Sequence, residues 1–152
     1  MRKISIILFS LLLILITSSC SRNEERTIDI SMFNLGDSLK PETKIFYTHL
    51  NASNNDQYGT LNHTKKFYSS PLDSFKGSPN HIIVFYVEAV NSDSSAIRDF
   101  FEEWGYQNIY ISKTKNKNDS GIIAISYILN SRGKILHCTN PSLSNFKQLM
   151  DN

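Results

Sequence analysis

The chain has 152 residues, with 16 lysines and arginines against 14 aspartates and glutamates. Its formal net charge of +2 gives no basic footprint of the kind that nucleic-acid binding requires. The length is enough for one small domain with its own hydrophobic core, but hardly for two.

The N-terminal residues have the three parts of an export signal. Arg2 and Lys3 form a short positive region, residues 4–16 form an apolar run, and residues 17–19 are small. As a helix, this run of about 13 residues spans roughly 20 Å, which is short of the roughly 30 Å hydrocarbon core of a bilayer. Residues 1–19 are therefore expected to be a cleaved signal peptide.

The small residues that end in Cys20 resemble the lipobox of bacterial lipoproteins. The resemblance implies a diacylated Cys20 that becomes the first residue and anchors the protein to a membrane. The lipobox usually has an aliphatic residue where this chain has Thr17, so the alternative is an ordinary secretory signal with an incidental cysteine. Ser21, at a position where aspartate retains enteric lipoproteins in the inner membrane, implies an outer-membrane location, on the periplasmic side or at the cell surface.

The mature chain begins with a mixed, weakly patterned region. Residues 20–43 combine charges with scattered apolar residues, which predicts a tether that leads into one domain over residues 44–152. "KIFYTHL", residues 44–50, is rich in strand-forming residues and predicts a strand. After a polar, turn-forming stretch, "KKFYSS", residues 65–70, is interpreted as a returning strand that completes a hairpin.

The middle of the chain has the strongest patterns. "HIIVFYVEAV", residues 81–90, is a continuous apolar run that predicts a strand buried on both faces, at the centre of a sheet. "NSDSSAIRDFFEEWG", residues 91–105, has helical apolar spacing that ends at Gly105, and predicts an amphipathic helix. "QNIYIS", residues 107–112, predicts the next strand, so residues 81–112 should form a βαβ unit with parallel strands.

The C-terminal part predicts a hairpin and a helix. "IIAISYIL" and "KILHC" flank "NSRG", whose Gly133 can adopt a positive φ in the turn. Asn140 and Pro141 are expected to begin a final helix. One face of this helix should carry Leu143, Phe146, Leu149 and Met150.

The element order over residues 81–152 resembles the second part of a thioredoxin-like domain, and "YILNSRGKILHCTNPS" is similar to the hairpin of bacterial redoxin-type lipoproteins. The resemblance implies a small three-layer α/β sandwich. In that family a Cys-X-X-Cys lies at a helix start and a cis-proline precedes the hairpin. This chain reads "EAVNSDSSAI" at the first place and "NDSGIIAI" at the second, so the resemblance is to a degenerate domain without either signature.

Few residues are candidates for chemistry. Thiol exchange needs an attacking and a resolving thiol, so Cys138 could act only with an external thiol, and a cysteine on such a strand is most often a buried apolar residue. His137 should point to the opposite face from Cys138. Glu88, at the carboxyl end of its strand, is a candidate ligand-binding residue, with exposure to water as the alternative.

The other histidines lack the spacing of metal ligands, and no metal, cofactor or catalytic residue is predicted. These features predict a membrane-anchored lipoprotein whose α/β domain binds or scaffolds, without catalysis, an extended peptide or an envelope protein. Two alternatives stay open: a thiol-dependent redox protein that uses Cys138 with an external thiol, and an accessory subunit of an envelope assembly.

Overall fold

The computed structural model describes residues 26–53, 57–114, 124–141 and 143–152. They form a five-stranded sheet in the order β3, β2, β1, β4, β5. Strands β1 to β3 are parallel, whereas β4 is antiparallel to both β1 and β5. The strands are β1 (Lys44–Asn51), β2 (His81–Glu88), β3 (Ile109–Ser112), β4 (Ala124–Asn130) and β5 (Ile135–Thr139). The helices are α1 (Gln57–Asp73), α2 (Ser94–Trp104) and α3 (Phe146–Asp151).

The predicted strands at residues 44–50 and 81–90 are confirmed, but their places in the sheet differ from the prediction. The central strand is β1, whereas β2 lies between β1 and β3. Thr48 lies in the middle of β1, and its buried hydroxyl forms a hydrogen bond of 3.0 Å with the hydroxyl of Ser126. Tyr68 adds a 3.2 Å hydrogen bond to the same serine, so this buried polar group is satisfied.

The prediction of a strand at "KKFYSS" is wrong, because these residues lie within helix α1. Leu61, Tyr68 and Leu72 are buried against the sheet, at intervals of seven and four residues that match the helical repeat. The chain therefore makes a βαβ crossover from β1 through α1 to β2 before the predicted crossover from β2 through α2 to β3, which is confirmed.

Residues 26–43 do not form a loose tether as predicted. Short 3₁₀ turns at Ser31–Phe33 and Gly36–Ser38 fold this part over one face of the sheet. Phe33 and Leu35 are buried there with Tyr47, while all three helices pack in the cluster on the other face. The sheet is thus the middle of three layers, and only residues 20–25 of the predicted tether lie outside the described residues.

Helix α2 and the hairpin follow the predictions closely. The Asp93 carboxylate caps α2 by accepting hydrogen bonds from Ser95 N at 2.8 Å and Ser95 Oγ at 2.7 Å, and these bonds lower the pKa of Asp93. Gly105 ends the helix with φ 89°, and Gly133 has φ 80° in the hairpin turn. Both glycines adopt the left-handed conformation that the sequence pattern anticipates.

The final helix begins later than predicted. Leu143 N donates to Asn140 O and Phe146 N donates to Leu143 O, so a separate turn precedes α3. Asn145, rather than Asn140, occupies the position before the helix. Leu143 is 52% exposed, whereas Phe146 and Met150 are buried as expected.

Three buried tyrosines predict a loss of stability at alkaline pH. Burial raises the pKa of Tyr47, Tyr68 and Tyr106 above the ordinary value of 10.0. Below pH 10 these tyrosines are neutral in both states, so their contribution to the free energy of unfolding is fully present. Above pH 10 they ionise in the unfolded state but stay neutral in the folded state, so the free energy of unfolding falls as the pH rises. Tyrosinate absorbance and loss of circular dichroism should therefore appear together.

Tyr106 offers a matched test of this effect. Its hydroxyl has no hydrogen-bond partner in the described part of the chain, so Tyr106→Phe keeps the ring packing and removes one ionisable group. The variant should lose stability less steeply above pH 10 than the parent. Equal slopes would show that the Tyr106 pKa is not raised by folding.

Candidate functional site

The carboxyl ends of β1, β2 and β3 meet along one side of the sheet, named here the carboxyl edge. Backbone hydrogen bonds join them: Ala52 N donates to Glu88 O at 2.8 Å, and Ala89 N donates to Ser112 O at 2.9 Å. Helices α1 and α2 both follow strands that end at this edge. Ligand sites of open α/β sheets commonly lie at such an edge.

Two loops at the carboxyl edge are tied together by side chains. Ser92 Oγ donates to Ala52 O at 2.7 Å, and Val90 N donates to Ser53 Oγ at 3.3 Å. In thioredoxin-like domains a cysteine pair lies at a helix start, and the loop after β2 was the predicted place for it. Neither loop sequence contains a cysteine, so no dithiol is available at either helix start.

Glu88 lies at this edge but does not face water. Its side chain is 2% exposed, and its Oε1 is 3.1 Å from His49 Nε2, whose side chain is 24% exposed. This distance allows Nε2 to donate a hydrogen bond to the carboxyl oxygen. The contact can hold the imidazole in one orientation.

Tyrosines surround this pair on the same face of the sheet. Tyr86 and Tyr110 stack with their ring centroids 5.4 Å apart, and His49 meets Tyr86 edge-on at 4.9 Å. Phe33 from the N-terminal layer covers part of this face by packing on Tyr47 and Tyr110, yet Tyr110 remains 39% exposed. Ring faces beside a buried carboxylate favour a cationic group. We name Tyr47, Tyr86, Tyr110 and Tyr127 the tyrosine face.

Cys138 is exposed, so the expectation of a buried cysteine is wrong. It lies on β5, an edge strand whose middle residues face solvent. In the register of the hairpin Cys138 is opposite Tyr127, whereas His137 is opposite Ile128. Partners across strands share a face, so the prediction that His137 and Cys138 point to opposite faces is confirmed.

Sequence reasoning treated His49 as one of several isolated histidines and missed its contact with Glu88. The parallel register places Tyr86 beside His49 and Glu88 beside Asn51, on the same face of the sheet. Alternation along "KIFYTHL" already places His49 on one face with Tyr47. The missing information was the pairing of β1 with β2, which depends on recognising α1 as the crossover.

Comparisons with known proteins identify the fold. No family model and no curated protein matches the chain. Among solved structures, a DsbF homologue from Corynebacterium diphtheriae is 10% identical with a TM-score of 0.50, over 77% of this chain and 74% of that one. A thioredoxin-like protein from Parabacteroides distasonis is 7% identical with a TM-score of 0.46, over 74% and 83% of the two chains.

A thiol-disulfide oxidoreductase from Bacteroides fragilis is also similar, at 13% identity and a TM-score of 0.43, over 70% of this chain and 80% of that chain. Sequence identities this low establish similarity of the backbone arrangement alone. The mixed sheet, the two crossovers and the final hairpin and helix agree with the likeness to the DsbF homologue, whose TM-score is 0.50. The chain therefore has a thioredoxin-like fold.

Proposed function

We propose that this protein is a thiol–disulfide redox protein that works through the single thiol of Cys138 together with an external thiol. The observation that carries the proposal is the exposure of Cys138 on edge strand β5, since a thiolate must reach the sulfur that it attacks. The likeness of the fold to that of a DsbF homologue supports the same class of chemistry.

Of the two cysteines in the sequence, Cys20 is proposed below to carry lipid, so Cys138 is limited to exchange without an internal resolving thiol. The Cys138 thiolate attacks one sulfur of a disulfide R–S–S–R′, so that a Cys138–S–S–R bond forms and R′–S⁻ leaves. An external thiolate then attacks the sulfur of R, forms a new disulfide with it and releases the Cys138 thiolate. The protein returns to its starting state, and the external thiol is consumed.

Thiol labelling of the native protein tests the access that this mechanism needs. We expect a small thiol reagent to modify native Cys138 at a rate within about tenfold of the rate for the unfolded protein, because the side chain is exposed. Cys138→Ser is the control for modification elsewhere. A native thiol that reacts only after unfolding would overturn the proposal.

A binding role is the second candidate, and the pairing of His49 with buried Glu88 beside the tyrosine face favours it. A ligand of this kind would be an extended peptide or envelope protein that presents a lysine or arginine side chain. A capped arginine peptide should bind more tightly than its uncharged citrulline counterpart, and Glu88→Gln should reduce the difference. Equal binding of the two peptides would contradict a cation site.

We also propose that Cys20 is lipidated and anchors the protein to the outer membrane. The apolar run, the small residues and the cysteine in the sequence support this anchor. Cys20→Ser should move the protein from the membrane fraction to the soluble fraction, because two or three acyl chains provide the hold. Unchanged retention in the membrane fraction would contradict lipid anchoring.

The predicted signal peptide lies outside the described residues. Within the described ranges, none of the helices has the length and apolar character needed to cross a membrane. The accessory-subunit alternative stays a prediction, and it would appear as co-purification with an envelope protein and no exchange activity.

A further inference from the structure

We infer that strand β5 forms the membrane-facing edge of the anchored domain, with lipid headgroups as the partner of that edge. The inference rests on the proposed anchoring at Cys20. Three observations support it: the first described residues lie at β5, backbone hydrogen bonds hold them there, and only a short link separates them from Cys20.

The first described residues are fastened to the start of β5. Thr27 forms an antiparallel bridge with Lys134. Ile28 N donates to Gly133 O at 2.8 Å, and Ile135 N donates to Arg26 O at 3.0 Å. We name this pairing of residues 26–28 with residues 133–135 the seam. The chain therefore enters the domain at the β5 edge.

Gly133 makes the seam a close contact. A Cβ atom at this position would lie 2.2 Å from Ile28 O, which is far inside any normal contact distance. The side chain of Asn130 shapes the same turn, because its Oδ1 accepts hydrogen bonds from Arg132 N at 2.9 Å and Lys134 N at 3.0 Å. Backbone hydrogen bonds and the close packing of the Gly133 turn therefore hold residues 26–28 in place.

The link from Cys20 to Arg26 is short compared with the domain. Six residues reach at most about 21 Å, whatever their conformation. A domain of this size has a radius of gyration of about 14 Å, which corresponds to a sphere of about 18 Å radius. A link from the pole opposite the bilayer would have to pass around half of that sphere, about 55 Å, so the seam cannot lie on the side of the domain that faces away from the bilayer.

The side chains at the seam suit a lipid surface. Arg26 and Arg132 are exposed there, and basic side chains are attracted to anionic headgroups. Asp29, which accepts a hydrogen bond from Ser31 N at 2.9 Å, lies in the same segment and reduces this attraction. Cys138 follows three residues after Ile135 on the same strand, so its thiol would meet partners at the membrane-facing edge.

The far side of the domain supplies a matched control position. Helix α2 packs beside β3, at the opposite edge of the five-stranded sheet from β5. Glu103 is exposed on this helix. In the lipidated parent protein, the fluorophore is attached to Cys138. In a second lipidated protein, the Glu103→Cys, Cys138→Ser variant, it is attached to position 103. Both proteins are placed in vesicles of phosphatidylethanolamine and phosphatidylglycerol that contain a headgroup-labelled quencher lipid.

We expect quenching at Cys138 to exceed quenching at position 103 several-fold. A flexible Gly/Ser insertion of about 20 residues after Ser21 should remove most of this difference, because the longer link frees the domain to rotate. Equal quenching in the uninserted protein, or stronger quenching at position 103, would overturn the orientation alone. Failure of the protein to float with vesicles would overturn the anchor and the orientation together.

Discussion

Replacing Gly133 by alanine should destabilise the domain by about 2–4 kcal/mol. Two costs add at this position. The residue has φ 80°, which L-residues with a side chain rarely adopt, and the new Cβ would meet Ile28 O at 2.2 Å. Chemical denaturation measures the loss of stability. Cleavage by trypsin after Arg26 should also become faster, because the clash opens the seam.

Gly77→Ala separates the two costs. Gly77 has φ 73°, but a Cβ there would meet nothing within 4 Å. The substitution should therefore lower the free energy of unfolding only by the conformational cost of about 1–2 kcal/mol. Cleavage after Arg26 should remain at the parental rate. If Gly133→Ala and Gly77→Ala lost equal stability, the seam would not be a close contact.

Removing the imidazole of His49 should cost about 1.5–3 kcal/mol, the range for a hydrogen bond to a charged group. The Glu88 carboxylate is 2% exposed, so water cannot readily replace the lost bond of 3.1 Å in His49→Ala. The substitution also removes the edge-on contact with Tyr86. The free energy of unfolding from denaturant titration gives the loss.

A histidine on the surface and a double-mutant cycle provide the controls. His63 is exposed on helix α1, so His63→Ala should change stability by no more than about 0.5 kcal/mol. Combining His49→Ala with Glu88→Gln should cost less than the sum of the single changes, because the two residues interact directly. Additive losses would mean that the contact does not couple the two side chains.

Strong local patterns allowed much of the fold to be predicted. The apolar strand at residues 81–90, the amphipathic helix that ends at Gly105 and the hairpin around Gly133 all have signals within a few residues. Helix α1 was missed because its buried residues are separated by asparagines, lysines and serines, and because it contains Pro71, which disfavours a helix interior. The apolar residues of the N-terminal layer are equally scattered, so they were taken for a tether.

The site depended on information that local sequence does not hold. His49 and Glu88 are brought together by the parallel pairing of β1 with β2, across the whole of helix α1. The exposure of Cys138 followed from the place of β5 at the sheet edge, which strand periodicity does not determine. Glu88 lies at the carboxyl end of its strand as predicted, but its burial and its partner were not foreseen.

The most direct test of thiol exchange at Cys138 is the rate at which the native, lipidated protein reduces a fluorogenic peptide disulfide while a small external thiol is supplied. We expect turnover above the rate of the thiol alone, a transient adduct at Cys138 visible by intact mass, and loss of both in Cys138→Ser. Equal rates with the parent protein, with Cys138→Ser and with the thiol alone would contradict exchange and leave binding as the function to pursue.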